Sequence, residues 1–125
     1  MDWFVRRFVK ASLVWFALSM NLGVIMTVRP ALIAYRPAHV HMNLLGFVSM
    51  MIFGVAYHVI PRFTGHPLHS RRLAGIHWWL SNAGLALLVV GFALTVSFRN
   101  EIRPVLIAGG LLITAGGAAF VVNMW

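Results

Sequence analysis

Residues 38–60 read AHVHMNLLGFVSMMIFGVAYHVI, an apolar stretch that contains no Lys, Arg, Asp or Glu. A transmembrane α-helix needs about 20 consecutive, mostly apolar residues, and this stretch meets that length. Residues 11–28, 73–98 and 105–125 form three further apolar stretches that approach or exceed it. The sequence therefore predicts four membrane-spanning helices.

The composition also indicates a membrane protein. The chain has 125 residues, of which 61% are hydrophobic and 10% are charged, whereas a soluble domain carries about 25% charged residues. The connectors, residues 29–37, 61–72 and 99–104, are short, and each contains proline and arginine. Because short connectors join antiparallel neighbours, we expect an all-α, up-down four-helix bundle, integral to the membrane. We expect it to form a single transmembrane domain over residues 1–125.

The basic residues indicate how the bundle is oriented. The formal net charge is +8, but every Lys and Arg lies at the end of an apolar stretch or in a connector, which favours a membrane protein over a nucleic-acid-binding one. One side of the bundle collects Arg6, Arg7, Lys10, Arg62, Arg71 and Arg72, and the other collects Arg29, Arg36, Arg99 and Arg103. By the positive-inside rule, we expect both termini in the cytoplasm. The expected location is a bacterial or archaeal inner (plasma) membrane.

Two other sequence features narrow the possibilities. The chain has no cysteine, which excludes disulfides, thiolate ligands and covalent c-type haem attachment. Basic residues precede the first apolar stretch, as they do in a signal peptide, but no small-residue cleavage pattern follows it. We therefore expect this stretch to be a retained helix.

The helical period separates the two histidines at the start of the second stretch. At about 100° per residue, His39 shares a face with Asn43, Gly46, Met50, Gly54 and Tyr57. Small and polar residues are typical of helix–helix contacts in membranes, so we expect His39 to point into the bundle. His41 shares the opposite, aliphatic face, and we expect it to point toward lipid or a neighbouring protomer.

Histidines inside membrane spans are candidates for function, and neutral imidazole is the usual axial ligand of haem. No carboxylate lies in any predicted span, which argues against hydrolytic zinc chemistry and against cation transport. Haem needs only one or two axial side chains, apolar walls and room near the backbone. We therefore expect a haem protein with His39 as the leading iron ligand and His77, which also points inward, as the second candidate.

The second ligand of the iron stays open. His39 and His41 lie about 200° apart around the helix, so they cannot bind one iron together. His39 and His77 lie at opposite ends of their helices, roughly 25 Å apart at 1.5 Å per residue. His39 would therefore pair with Met26 of the first helix or with a ligand from a second protomer, which predicts a homo-oligomer.

Other residues have weaker assignments. His58 and His77 lie at similar depth, which allows a second haem at the cytoplasmic end. Arg36, three residues before His39, is the candidate partner for haem propionates. Aromatic residues expected in an interfacial belt are Tyr57, Trp78 and Trp79, and the connector histidines expected in solvent are His66 and His69.

Residues 39–84, HVHMNLLGFVSMMIFGVAYHVIPRFTGHPLHSRRLAGIHWWLSNAG, resemble a helical hairpin of the catalytic subunit (subunit I) of haem–copper oxidases and nitric oxide reductases. The region is similar also to NnrS-like membrane proteins. The resemblance rests on the H-x-H start, on Gly46-Phe47, on Tyr57 followed by Ile60-Pro61-Arg62, and on His77-Trp78-Trp79. It implies haem b, copper as a further option, and partners such as a redox protein or respiratory-complex subunits. By motif, the metal-ligand position falls on His39 or His41.

This chain also departs from that family. The family's catalytic subunits have about twelve helices, and their copper site uses three histidines that include an adjacent pair, which this sequence lacks. A complete oxidase or nitric oxide reductase is therefore not expected in one chain. The leading hypothesis is electron transfer or binding of nitric oxide or oxygen at haem b. One alternative is a non-redox haem or copper carrier or an accessory subunit of a respiratory complex, and another is a structural assembly subunit without cofactor.

Overall fold

The computed structural model describes residues 1–98 and 101–125, and it contains four helices long and apolar enough to cross a membrane. These first to fourth helices run over Trp3–Val28, Pro30–Thr64, Arg71–Thr95 and Arg103–Met124. Within the described part of the chain there is no strand. The prediction of an all-α membrane bundle is confirmed.

The first two helices extend beyond the stretches that hydropathy marked. The first begins at Trp3 rather than at residue 11, so that it includes Arg6, Arg7 and Lys10, which are exposed. Long basic side chains near a helix end reach the membrane surface with their charged tips. The helix can therefore begin several residues before the apolar stretch that hydropathy detects. The third and fourth helices depart from the predicted 73–98 and 105–125 by three residues or fewer at each end.

The second helix changes its winding along its length. It starts as a 3-10 helix over Pro30–Tyr35, continues as an α-helix over Arg36–His41 and a π-helix over Met42–Ser49, and returns to an α-helix over Met50–Thr64. The predicted connector at residues 29–37 is therefore mostly helical. Gly65 ends the helix with a φ of 69°, a left-handed conformation that favours glycine.

The π segment keeps one face of the second helix in the core. The buried residues of that face are Ala38, Met42, Gly46, Met50, Gly54 and Tyr57. In a continuous α-helix, residues four apart drift by about 40° at each step, which would carry the face roughly 160° round between residues 38 and 54. The i→i+5 bonds of a π-helix turn the chain less per residue. The segment therefore cancels much of this drift and keeps Ala38 and Met42 in line with Met50 and Gly54 on the buried face.

Glycines set the distances between neighbouring helices. The first and second helices are antiparallel, and a Cβ on Gly46 would lie 2.6 Å from the Cβ of Trp15. The third and fourth helices touch at Gly84 and Gly109, where a Cβ on either residue would lie 2.8 Å from the carbonyl oxygen of the other. Small residues allow this close approach in membranes. The third helix also joins the first through a hydrogen bond of 3.1 Å from Trp15 Nε1 to Asn82 Oδ1.

Both chain ends meet the second connector. The Arg71 guanidinium lies 3.2 Å from the Asp2 carboxylate, and the backbone N–H of Ser70 donates to Asn123 Oδ1 at 2.7 Å. These two contacts place both termini at the same end of the bundle.

The main buried cluster comprises Phe4, Val5, Phe8, Met50, Tyr57, Ala74 and Leu85. Arg99, assigned above to the other end, lies outside the described residues.

Candidate functional site

His39 is held between the first and second helices. Its Nδ1 lies 2.9 Å from the carbonyl oxygen of Ser19 and 3.1 Å from the Ser19 hydroxyl. Its Nε2 lies 3.2 Å from Nδ2 of Asn43. The Ser19 hydroxyl, fully buried, also donates to the carbonyl oxygen of His39 at 3.1 Å. His39 therefore points into the bundle, as the helical period predicted.

An open groove of about 470 Å³ lies beside His39. Its lining residues are Met20, Gly23, Val24, Met26, Thr27, Ile33 and His39. His39 and Met26, which the sequence suggested as a ligand pair, thus line one groove. Gly23 faces the histidine ring, and a Cβ there would lie 2.9 Å from the Cε1 of His39. Glycine at this position lets the first helix approach the ring.

His41, predicted to point toward lipid or another protomer, is half-buried and also has a protein neighbour. Its ring centroid lies 4.6 Å from that of Phe92 on the third helix, and its Nδ1–H donates to the Pro37 carbonyl at 2.8 Å. Here the second helix lies between the first and third helices, so side chains on two opposite faces both find protein neighbours. Several aliphatic residues of the predicted lipid face are exposed, namely Leu44, Val48, Ile52 and Val55.

His77 points inward, as predicted, and is fully buried. Its Nδ1 lies 3.0 Å from the Tyr57 hydroxyl. Its ring centroid lies 4.8 Å from that of Phe8, 4.6 Å from that of Phe53 and 5.6 Å from that of Phe120. Tyr57 was expected in an interfacial belt, but it is 1% exposed, so that expectation is wrong. Aromatic rings pack around His77 on several sides, and its Nε2 is buried without a hydrogen-bond partner among the described residues.

The remaining candidates lie near the ends of the bundle. His58 is half-buried, and within the described ranges no hydrogen bond or ring contact joins it to His77. The structure therefore does not assemble these two histidines into one site. Arg36 is exposed at the start of its α-helical segment, near the end of the bundle that holds the groove. The connector histidines, His66 and His69, are exposed, in agreement with the solvated positions expected for them.

The described residues form no cluster of three ionisable metal ligands. Over residues 1–98 and 101–125, no three His, Cys, Asp or Glu side chains come together in a way that could hold a metal ion. A three-histidine copper site is therefore not formed within this part of a single chain. The chemistry available at His39 is that of a single imidazole ligand with a thioether in the same groove.

Ser19 is the site residue that sequence reasoning did not connect with His39. The sequence did contain a signal, because Ser12, Ser19, Gly23 and Met26 share one side of the first helix. However, helical period alone does not say which residue of a neighbouring helix lies at the same depth. The antiparallel packing of the first two helices supplies that information.

Comparison with known proteins identifies the family. The family model described as Cytochrome C and Quinol oxidase polypeptide I matches residues 7–98. The Cbb3-type cytochrome c oxidase subunit CcoN1 of Stutzerimonas stutzeri is 27% identical over 97% of this chain and 32% of its own length. Cytochrome c oxidase subunit 1 of Rhodobacter capsulatus is 30% identical over 70% of this chain and 21% of its own length.

The chain therefore spans less than a third of the length of these two relatives. The matched region includes Ser19, His39, His41 and His77, which are the site residues described above. Since the family model covers most of the chain, the protein belongs to the Cytochrome C and Quinol oxidase polypeptide I family.

Proposed function

We propose that this chain is a membrane haem b protein of the haem–copper oxidase subunit I type, which acts in electron transfer or in binding nitric oxide or oxygen. The observation that carries the proposal is the environment of His39. One ring nitrogen is held by Ser19, the other faces only an amide of Asn43 on the same helix, and the ring lines a groove. Histidines that bind metals are commonly held in this way, with a hydrogen bond at one ring nitrogen, here Nδ1, and the metal at the other, here Nε2.

The residues around His39 fit haem. Imidazole and thioether ligate the haem iron in one class of cytochromes, and His39 and Met26 both line this groove. The other lining residues are mostly apolar, as a macrocycle requires, and include Met20, Val24 and Ile33. Bound haem would supply a one-electron redox centre whose iron can also take up a small gas.

Three residues of the chain would then have distinct roles in holding the haem. His39 would bind the iron through Nε2, which requires the Asn43 amide to turn away. Met26 would supply the second ligand, or a second protomer would supply it. Arg36, exposed near the groove end of the bundle, would pair with a propionate.

The proposal includes a homo-oligomer in a bacterial or archaeal inner membrane, with both termini in the cytoplasm. The fourth helix supports self-association, because a Cβ on Gly110 or Gly117 would meet no atom within 4 Å. An open glycine face of this kind permits close helix contact between protomers.

A second candidate is an accessory subunit of a respiratory complex, or a haem or copper carrier without redox chemistry. The observation in its favour is the donor set, since His39 and Met26 line one groove, and imidazole and thioether are ligands that also suit copper. In that case another subunit would supply the remaining ligands, and copper would be bound between chains.

Optical spectra of the purified protein, oxidised and reduced, test the leading proposal. We expect a Soret band and a reduced α band typical of haem b, lost in His39→Ala and kept in the solvent-exposed control His66→Ala. Absence of a Soret band from cells supplied with haem would overturn the proposal. Metal analysis that finds copper without haem would favour the carrier, and mass measurement in detergent would decide between monomer and homo-oligomer.

A further inference from the structure

We infer that Ser19 is a positioning residue for His39, which fixes the ring in the tautomer with its proton on Nδ1 and leaves the lone pair on Nε2. The contacts around the ring carry the assignment of the tautomer. Only the identity of the group that Nε2 binds rests on the proposed function. Ser19 lies on the first helix and His39 on the second, so the tautomer is set across a helix–helix contact.

The acceptors on Ser19 determine where the proton lies. A carbonyl oxygen can only accept a hydrogen bond, so the 2.9 Å contact between Nδ1 and the Ser19 carbonyl requires a proton on Nδ1. The Ser19 hydroxyl already donates its hydrogen to the His39 carbonyl at 3.1 Å. Toward Nδ1, also at 3.1 Å, the hydroxyl oxygen therefore acts as a second acceptor.

The opposite side of the ring agrees with this assignment. The Asn43 Nδ2 group is a donor, and it lies 3.2 Å from Nε2. A neutral imidazole has one donor and one acceptor nitrogen, so a proton on Nδ1 matches an accepting Nε2. Asn43 follows His39 by one helical turn, and its amide can rotate aside when another group binds Nε2.

The ring plane is fixed as well as the proton. Ser19 is fully buried, so its hydroxyl and carbonyl have no competing water at the ring. Gly23, one turn further along the same helix, places its α-carbon against the ring, where a Cβ would lie 2.9 Å from Cε1. A hydrogen bond at the outer nitrogen of a ligating histidine orients the ring and raises its basicity.

The tautomer is measured without any cofactor. In haem-free protein labelled with ¹⁵N-histidine, we expect NMR to show one histidine, absent from His39→Gln, as the Nδ1–H tautomer. Ser19→Ala keeps the backbone carbonyl but removes the second acceptor, so the Nδ1–H form should stay the major tautomer with a reduced population, and Ser19→Thr, which keeps the hydroxyl, should restore it. Ser12→Ala is the matched control, because Ser12 is equally buried on the same helix and bonds to Val9 and Met51.

A second readout uses the haem-loaded protein. Because Ser19→Ala removes a bond that makes the imidazole a stronger donor to ferric iron, we expect a higher midpoint potential, with Ser12→Ala unchanged. Gly23→Ala should displace the ring and lower the haem-to-protein ratio.

Two outcomes overturn the inference: a wild-type His39 in the Nε2–H form, or a Ser19→Ala protein that matches Ser12→Ala in both tautomer and potential. An Nδ1–H tautomer in a protein that takes up no haem overturns the proposed function and sustains the inference.

Discussion

The hydroxyl oxygen of Tyr57 lies 3.0 Å from Nδ1 of His77, and the two side chains are 1% and 0% exposed. This bond joins the second helix to the third among the rings of Phe8, Phe53 and Phe120. Because water does not reach it, either partner left alone would keep an unsatisfied polar group in an apolar surrounding. The pair is therefore a stabilising contact of the fold, separate from the groove at His39.

Tyr57→Phe should destabilise the bundle by about 1–3 kcal/mol, the cost of leaving one buried polar group without its partner. The aromatic packing against Phe4 and Phe8 would be kept. Unfolding in detergent, followed by circular dichroism, measures the change. The half-buried Tyr35, in the 3-10 segment, provides the control variant Tyr35→Phe; equal stability of the two variants would show that the Tyr57 hydroxyl does not contribute.

Gly84→Ala should destabilise the contact between the third and fourth helices. Its Cβ would lie 2.8 Å from the Gly109 carbonyl oxygen and 2.9 Å from the Ile113 nitrogen, both backbone atoms that cannot turn aside. Overpacking of this kind costs about 1–3 kcal/mol. Ala86→Ser is the control, because it also adds one heavy atom to the third helix, at an exposed position. If both variants unfold at the same denaturant concentration, the close approach at Gly84 is not required.

Asn123→Leu should loosen the second connector. Its side-chain oxygen accepts the backbone N–H of Ser70 at 2.7 Å, and Ser70 is the N-cap of the third helix. We expect faster tryptic cleavage at the neighbouring Arg71 and Arg72, measured by mass spectrometry of timed digests. Asn21→Leu is the control, since the exposed Asn21 amide bonds only within its own helix to Ala17. Unchanged cleavage in Asn123→Leu would contradict the anchoring role.

His41→Leu should keep the haem spectrum that His39→Ala loses. His41 packs on Phe92 and bonds to its own helix at Pro37, and it does not line the groove. The loss of its contact with the Phe92 ring should cost about 0.5–1.5 kcal/mol of stability. Soret absorbance and unfolding in detergent measure the two effects. A spectrum lost in His41→Leu and retained in His39→Ala would instead assign the ligand to His41.

The four crossings were predictable because hydropathy responds to every residue of a span. The ends of the helices were less predictable. The first helix begins at Trp3 and includes basic residues that hydropathy counts as polar. The change of winding over Met42–Ser49 was not predictable from an assumed constant 100° per residue. Its effect became apparent only in the structure, where the buried positions from Ala38 to Gly54 recur every fourth residue.

The candidate site was predictable in part. The inward position of His39 followed from the small residues on its face. The position of His41 did not, because helical period identifies opposite faces but not whether a helix has one neighbour or two. Likewise, Tyr57 resembled an interfacial aromatic until its partner His77, on another helix, was known. Contacts of this kind depend on the relative depth of two helices, which neither helix encodes alone.

The meeting of both chain ends at the second connector has a consequence for how such a unit can be joined to others. An even number of crossings returns the backbone to the side of the membrane on which it started. Placing this unit before, after or between other helices therefore leaves the orientation of every later helix unchanged. Gene fusion or duplication could add or remove such a unit without inverting the rest of the protein, which a unit of three or five crossings would do.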